Sequence, residues 1–192
     1  MILRRESQES WQASSASAVA KPASAWIARF ASYLPAGARV LDLACGQGRH
    51  SALFLERGFR VLAVDLDISG LGDLAAHPSL EAVEVDLEDG RAFPFKDERF
   101  GAVVVANYLH RPILPDIVSA VAEGGILIYE TFARGNEPFE GPSRPDFLLN
   151  RGELLEAVRG KLTVLAYEDL IIDDPRPAAI QRIAAVREPA KH

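Results

Sequence analysis

The feature that most limits what this chain can fold into is an alternation of short apolar runs with helical stripes. Residues 39–43, 60–64, 80–85, 101–106 and 126–131 are brief and rich in Val, Ile and Leu, and they read as buried strands. Helical spacing fills most of the gaps. Ala52, Leu53 and Leu55 form a stripe over 48–57 that stops at Gly58, a second stretch over 66–76 stops at His77-Pro78, and Ile113, Leu114, Ile117, Val118 and Val121 share one face over 112–122 before Gly124-Gly125. An irregular acidic loop joins the third strand to the fourth. Strands alternating with helices form parallel crossover units in a sheet covered on both faces. Upstream, Trp26, Ile27, Phe30, Tyr33 and Leu34 recur at helical spacing and lead into the first strand through Pro35-Ala36-Gly37. Downstream, a helix over 152–158 precedes two last strands near 162–168 and 179–187. The link over 169–178 is short and holds Pro175 and Pro177, so no crossover helix fits and those two strands are expected to be antiparallel. The predicted fold class is α/β: a doubly wound, seven-stranded sheet, mostly parallel, with an antiparallel terminal pair.

Composition narrows the function classes. A chain of 192 residues with 48% hydrophobic and 25% charged residues is one globular domain with a substantial core. Residues 1–24 are rich in Ala and Ser with little periodicity and read as a loosely ordered arm, leaving 25–192 as the domain. No apolar run is long enough for a membrane span, and the N-terminus lacks a secretory apolar core. The single cysteine, Cys45, excludes an internal disulfide framework and suits a reducing cytoplasm. A net charge of −6 without a Lys/Arg block disfavours nucleic acid as partner, although Arg144, Arg151 and Arg159 could gather on folding. A small-molecule acceptor is the expected partner, no metal is assigned, and oligomeric state is not readable.

The chemistry concentrates at VLDLACGQGRH, residues 40–50. Gly46 and Gly48 let the backbone turn sharply and approach a ligand without a Cβ collision, and the following helix presents unpaired N–H groups to the same space. In open α/β sheets that space lies outside the C-terminal strand ends, near the reversal of strand order. Dinucleotide-dependent oxidoreductases use a similar turn. Three features point elsewhere. The third glycine of G-x-G-x-x-G is replaced by Ser51. Asp42 precedes the turn, where a carboxylate opposes a pyrophosphate and favours a cofactor with an ammonium and a sulfonium. Asp65 ends the second strand, where it can accept bonds from both ribose hydroxyls, and Asp86 ends the third, placed for an adenine amino group.

Together with the strand VLAVD, the acidic EVDLE and the strand GGILIYETF, this motif resembles the successive motifs of class I S-adenosylmethionine (SAM)-dependent methyltransferases, and more narrowly small bacterial enzymes of the tellurite-resistance type. The resemblance covers residues 39–132 and implies a Rossmann-like fold with SAM as cofactor. It implies Asp42, Ala44, Gly46 and Gly48 around the methionine part, with His50 lining the cofactor. Asp65 and Leu66 would hold the ribose side, Asp86 and Leu87 the adenine, and Asn107 would face the reacting methyl. Gly101 departs from the pattern, since this fold commonly has an aspartate there. Asn107-Tyr108-Leu109-His110 is not the Asn-Pro-Pro-aromatic motif of nucleic-acid amino-methyltransferases.

The bland readings run alongside. Cys45 fills a small-residue place in the turn rather than acting as a nucleophile. Asp65, or Asp67 in its stead, could be a helix N-cap. His110 is the better candidate general base and Tyr108 a candidate acceptor contact, while Glu130 could orient an acceptor or bond backbone. The long loop over 132–150 is expected to be a lid, with Phe139 and Phe147 capping an apolar pocket and Arg134 or Arg144 meeting a carboxylate. Two other functions share these residues: a non-catalytic SAM-binding module, and an NAD(P)-dependent oxidoreductase.

Overall fold

The computed structural model describes residues 21–190; residues 1–20, most of the expected arm, lie outside the described residues, as do 191–192. Seven described strands form one sheet: β1 (Arg39–Leu43), β2 (Arg60–Asp65), β3 (Leu80–Glu84), β4 (Phe100–Ala106), β5 (Val121–Phe132), β6 (Thr163–Ile172) and β7 (Ala178–Val186). Their spatial order is β3-β2-β1-β4-β5-β7-β6. The first five are parallel to one another, while β7 runs antiparallel between β5 and β6. This is the doubly wound sheet with an antiparallel end that the alternation implies. Strand order reverses between β1 and β4, which places their C-terminal tips side by side.

Side-chain alternation builds a core on each face. Leu41, Leu43, Leu62, Val64, Val103, Val105, Leu127 and Tyr129 point one way. They pack with Ile117 and Val118 of α3 (Leu114–Ser119) and Leu154 and Val158 of α4 (Glu153–Val158), labelled to follow the N-terminal pair below. Val40, Val61, Ala63, Ala102, Val104, Ile126 and Ile128 point the other way, against α1 (Ala25–Phe30) and α2 (Arg49–Glu56). In α1, Ser24 caps the first turn by accepting from Trp26 N, and Trp26, Ile27 and Phe30 are buried. Burial of such side chains contributes roughly 1.5–3 kcal/mol each. Trp26 also donates from Nε1 to Ile183 O at 3.4 Å under the Arg182 guanidinium.

Three segments differ from the sequence expectation. The stretch expected as a helix over 66–76 is a 3-10 segment, Ile68–Ala76, broken at Gly72, whose φ of 51° and ψ of −134° lie outside any helix. The helix expected over 112–122 is a 3-10 turn, Arg111–Ile113, followed by the short α3, and β5 begins at Val121. Arg187 explains the early stop: its guanidinium donates to Val118 O at 2.9 Å and Val121 O at 2.7 Å, taking carbonyls that a longer helix would use. The β3-to-β4 crossover has no helix either; Phe93 and Phe95 of the acidic loop fill that part of the core edge to face at 5.5 Å. The terminal strands extend further than expected, so their link narrows to residues 173–177.

Gly101 has a packing reason. A Cβ there would lie 2.6 Å from the Cβ of Ala38, so the start of β4 has room for no side chain, and an aspartate at this place is excluded. Gly101→Ala is expected to destabilise the fold by about 1–3 kcal/mol in chemical denaturation. The double variant with Ala38→Gly should recover most of that loss, and its failure to do so would remove the steric explanation.

Candidate functional site

At the tip of β1 the chain turns through Ala44, Cys45, Gly46, Gln47 and Gly48 into α2. Cys45 N donates to Val64 O at 3.0 Å and Gly48 N to Cys45 O at 2.9 Å, which closes the turn against β2. Gly46 and Gly48 are both left-handed, with φ of 55° and 73°. They serve different ends. A Cβ on Gly46 would meet nothing within 4 Å, so this glycine supplies conformation beside open space; a Cβ on Gly48 would strike Leu71 and Leu74 at 2.6 and 2.7 Å. Ala44 shares the left-handed conformation at φ 54°, and so does Asn107 at φ 56°, at the tip of the adjacent β4. For Ala44 that conformation costs roughly 1–2 kcal/mol, whereas asparagine adopts it readily.

Asp65 sits at the tip of β2 and accepts from Gly46 N at 2.7 Å, with Asp67 N at 3.3 Å from its other oxygen. The N-cap role falls to Asp67, which accepts from Ser69 N at 2.8 Å. Asp65 is therefore tied to the glycine turn. Leu66, next to it, is 65% exposed, an apolar side chain at the cleft rim. Asp86 is exposed and accepts from Glu88 N at 2.8 Å, while Leu87 is buried against the core beside Phe93. A cavity of about 250 Å³ opens here, lined by Asp86, Leu87, Arg91, Phe93 and Pro94. A larger one of about 420 Å³, beside Glu123, Lys161 and Arg187, lies at the opposite end of the strands, away from this chemistry.

Asp42 and His50, both expected at the cofactor, are buried. Asp42 is 1% exposed and accepts from Ser51 Oγ at 2.6 Å, beneath the turn rather than on the cleft surface. Burial pushes its carboxyl up to about 6, against the Ser51 hydrogen bonds that pull it down. Ser51, standing where the third glycine of a dinucleotide motif would be, is thus the partner of the acid that precedes the turn. His50 is buried, and its Nε2 accepts from Ser24 N at 3.3 Å. Burial, with Arg49 beside it, lowers its pKa to about 3, so it stays neutral and fastens the chain entering α1 onto α2. The Cys45 thiol is pushed up to about 12 by burial and by the Asp42 and Asp65 carboxylates, which leaves it inert.

Beyond β4 the chain runs Asn107-Tyr108-Leu109-His110-Arg111. Asn107 N donates to Glu130 O at 3.0 Å. Tyr108 has its carbonyl bonded by Tyr129 Oη at 2.8 Å, and its own Oη is buried beside Glu88. Burial, followed by the charge and hydrogen bonding of Glu88 and the charges of Asp86 and Asp65, raises its pKa. Those three carboxylates thus act on one space. His110 Nδ1 lies 3.8 Å from Glu88 Oε2. Arg111 reaches into the 132–150 loop and α4, donating to Asp146 O at 2.9 Å, Leu148 O at 2.8 Å and both oxygens of Glu153 at 2.7 and 2.9 Å. At the loop's other end, buried Asn136 donates to Pro142 O at 2.9 Å and accepts from Ala179 N at 3.0 Å. The loop is anchored at both ends, and its exposed face carries Phe147 under the Arg144 guanidinium at 5.2 Å.

Residues 40–125 match a methyltransferase domain model. Over that segment the chain is similar to a methyltransferase domain. A demethylmenaquinone methyltransferase from Clavibacter sepedonicus is 31% identical over 107 residues, which are 51% of this chain and 42% of that protein, so the match spans less than half of the curated relative. Among solved structures, the glycopeptide N-methyltransferase MtfA complexed with SAM superposes with a TM-score of 0.60 at 21% identity, over 91% of this chain and 98% of that one. A TehB-like SAM-dependent methyltransferase from Corynebacterium glutamicum gives 0.60 at 20% identity, over 96% and 97%. These likenesses show the fold.

Gly46, Gly48, Asp65, Leu66, Asp86 and Asn107 lie at or just beyond the C-terminal tips of β1 to β4. Sequence reading noted Ser51 without finding its partner, and it gave no role to Glu88 or Arg111. Ser51 had a signal in its mismatch to the dinucleotide motif; Glu88 and Arg111 had none, because their partners are remote in sequence.

Proposed function

We infer that the chain is a SAM-dependent methyltransferase acting on a small-molecule acceptor. The carrying observation is the Gly46–Asp65 junction: a left-handed glycine beside open space, hydrogen-bonded to a strand-tip carboxylate that keeps acceptor capacity for a ribose diol. The residues present fit the cofactor. Asp65 and Leu66 would take the ribose side, Asp86 and Leu87 the adenine, and Ala44, Gly46 and Gly48 the methionine part, with Asp42 supplying negative charge from beneath. Asn107 would stand at the methyl. Bound there, SAM supplies an electrophilic methyl group; the chain's own residues orient the acceptor and exclude water. His110 and Tyr108 lie on the acceptor side, with the 132–150 loop as cover, and His50 belongs to the scaffold.

Isothermal calorimetry with SAM and S-adenosylhomocysteine tests this reading. Both are expected to bind, and NADH, followed by its fluorescence, is expected not to. Absence of heat with either adenosyl ligand for folded protein would defeat the assignment, and NADH binding would favour the oxidoreductase. Binding without turnover on any acceptor would leave a SAM-binding module.

A further inference from the structure

We propose that the outer edge of β6 pairs antiparallel with β6 of a second copy of this chain, so that two sheets join across a two-fold axis.

The two edges of the sheet are built differently. β3 closes one side with five residues, and Glu81 and Glu84 stand exposed on it. A short strand carrying charge is one way in which an edge avoids pairing with another chain. β6 closes the other side with ten residues, Thr163–Ile172, and holds no Lys, Gly or Pro. Among the described residues its backbone pairs with β7 alone. Val164, Leu165, Leu170 and Ile171 are exposed along it, Ile171 by 60%. A long strand with unpaired N–H and C=O groups between apolar side chains is a template for one more strand.

The sequence of β6 fits itself. Val164 pairs with Ala185 and Ala166 with Ala184, so Leu165 is a bulge and Val164 falls on the same face as Tyr167 and Ile171. With the bulge left unpaired and Glu168 on the two-fold axis, Val164 of each copy meets Ile171 of the other on one face. Ala166 meets Leu170 on the opposite face. Apolar pairs of this kind stabilise a sheet. The central acids are already engaged within the chain: Arg182 Nε donates to Glu168 Oε2 at 2.6 Å, and Tyr167 Oη to Asp169 Oδ2 at 3.3 Å. Charges of opposite sign, with no ion pair among the described residues, stand just beyond the two ends: Lys161 before the strand and Asp174 after it. Antiparallel pairing carries each end to the opposite end of the partner, so the same register brings Lys161 towards Asp174 twice. That charge complementarity selects a second copy over a foreign strand.

The pairing is independent of the function proposed above. β5 and β6 are both antiparallel to β7, so β6 ends on the side of the glycine turn. A two-fold axis through the sheet edge points the two clefts in opposite directions, and neither copy completes the other's site.

Sedimentation equilibrium of the full chain tests the proposal. A monomer–dimer equilibrium at micromolar concentration is expected for the wild type. Ile171→Lys, which charges an exposed side chain, is expected to raise the dimer Kd roughly 100-fold or more. Lys161→Asp alone and Asp174→Lys alone should each raise it roughly 10-fold, through two like-charge contacts. The double variant restores opposite charges and should return Kd to within about threefold of the wild type, which also shows that neither single loss is a folding defect. A wild type that stays monomeric at every concentration overturns the proposal, whatever else covers the edge. So does a dimer unmoved by Ile171→Lys, whose contact must lie elsewhere, and so does loss in both single variants without recovery in the double.

Discussion

Asp65→Ala is expected to weaken binding of both SAM and S-adenosylhomocysteine by roughly 100- to 1,000-fold while leaving the fold intact. The carboxylate makes one 2.7 Å bond, to Gly46 N, and has capacity for two more. Hydrogen bonds to charged groups contribute about 1.5–3 kcal/mol each, so loss of two bonds to a ribose diol near the lower limit, about 3–4 kcal/mol together, gives the stated range. Removal also leaves Gly46 N without its acceptor and frees the turn that shapes the methionine end. The effect on stability should be small, because Asp65 is only partly buried and makes no ion pair among the described residues. Asp67→Ala is the matched control two residues away. It deletes the N-cap bond to Ser69 N, which is worth about 1 kcal/mol of stability, and should leave affinity nearly unchanged. Calorimetric Kd values and thermal melts on both variants separate the roles. If Asp67→Ala lost affinity and Asp65→Ala kept it, the cofactor cleft would be misplaced.

The contrast between these two aspartates shows what a sequence of this class reveals. Asp65 is legible because strand periodicity ends on it, and the end of a parallel strand at the sheet's reversal is a place defined by topology. The same logic places Gly46, Gly48 and Asp86 near strand tips, and the antiparallel β6–β7 pair followed from a link too short for a helix. Asp42 and His50 sat on equally good motif positions, yet the fold turned both inward. Asp42 pairs with Ser51 on the next helix, and His50 meets the backbone of Ser24. Motif spacing fixes the backbone and leaves the direction of each side chain to packing. The left-handed Ala44 was invisible because an alanine carries no residue-type signature of that conformation. Helix ends failed for a related reason: α3 is cut short by Arg187, whose arrival at Val118 and Val121 depends on β7 lying beside β5.

Anchoring of the 132–150 loop has a consequence for how a lid could work. Its two ends are fixed by Arg111 and Asn136. The exposed stretch between the two anchors carries Arg144. Since Arg111 follows His110 directly, the candidate acceptor cover and the candidate base share one short segment of backbone. On the proposed reading, cofactor contacts at β1 and β2 and acceptor contacts beyond β4 would be built by different loops on one sheet. That division lets a methyltransferase domain keep its cofactor side while the acceptor side changes.

Replacing Asp42 should stabilise the protein and impair it at once. Its carboxyl is 1% exposed and its pKa lies at about 6 instead of 3.8, chiefly through burial. A folded-state pKa above the unfolded one means that the fold prefers the protonated acid. The favourable contribution is complete below pH 3.8 and is lost as pH rises through about 6. At pH 8 the ionised group therefore costs about 3 kcal/mol, a little over two pKa units at 1.36 kcal/mol each. Asp42→Asn cannot ionise, and its amide oxygen can still accept from Ser51 Oγ, so the variant should gain about that much stability at pH 8. The gain should shrink as pH falls from 6 towards 4 and vanish below, a profile read from denaturation midpoints across pH. Affinity should move in the opposite sense. The buried charge attracts an ammonium and a sulfonium, so SAM, which has both, should lose more than S-adenosylhomocysteine, which has one. By linkage, SAM binding by the wild type near pH 6 should release a proton, seen as a buffer-dependent heat that Asp42→Asn lacks. A variant that is more stable at pH 8 and binds SAM as tightly as the wild type would show that the acid serves the turn's architecture alone. The expected trade, stability given up to keep a charge under the cofactor, accounts for a buried, incompletely compensated carboxylate in an otherwise apolar sheet.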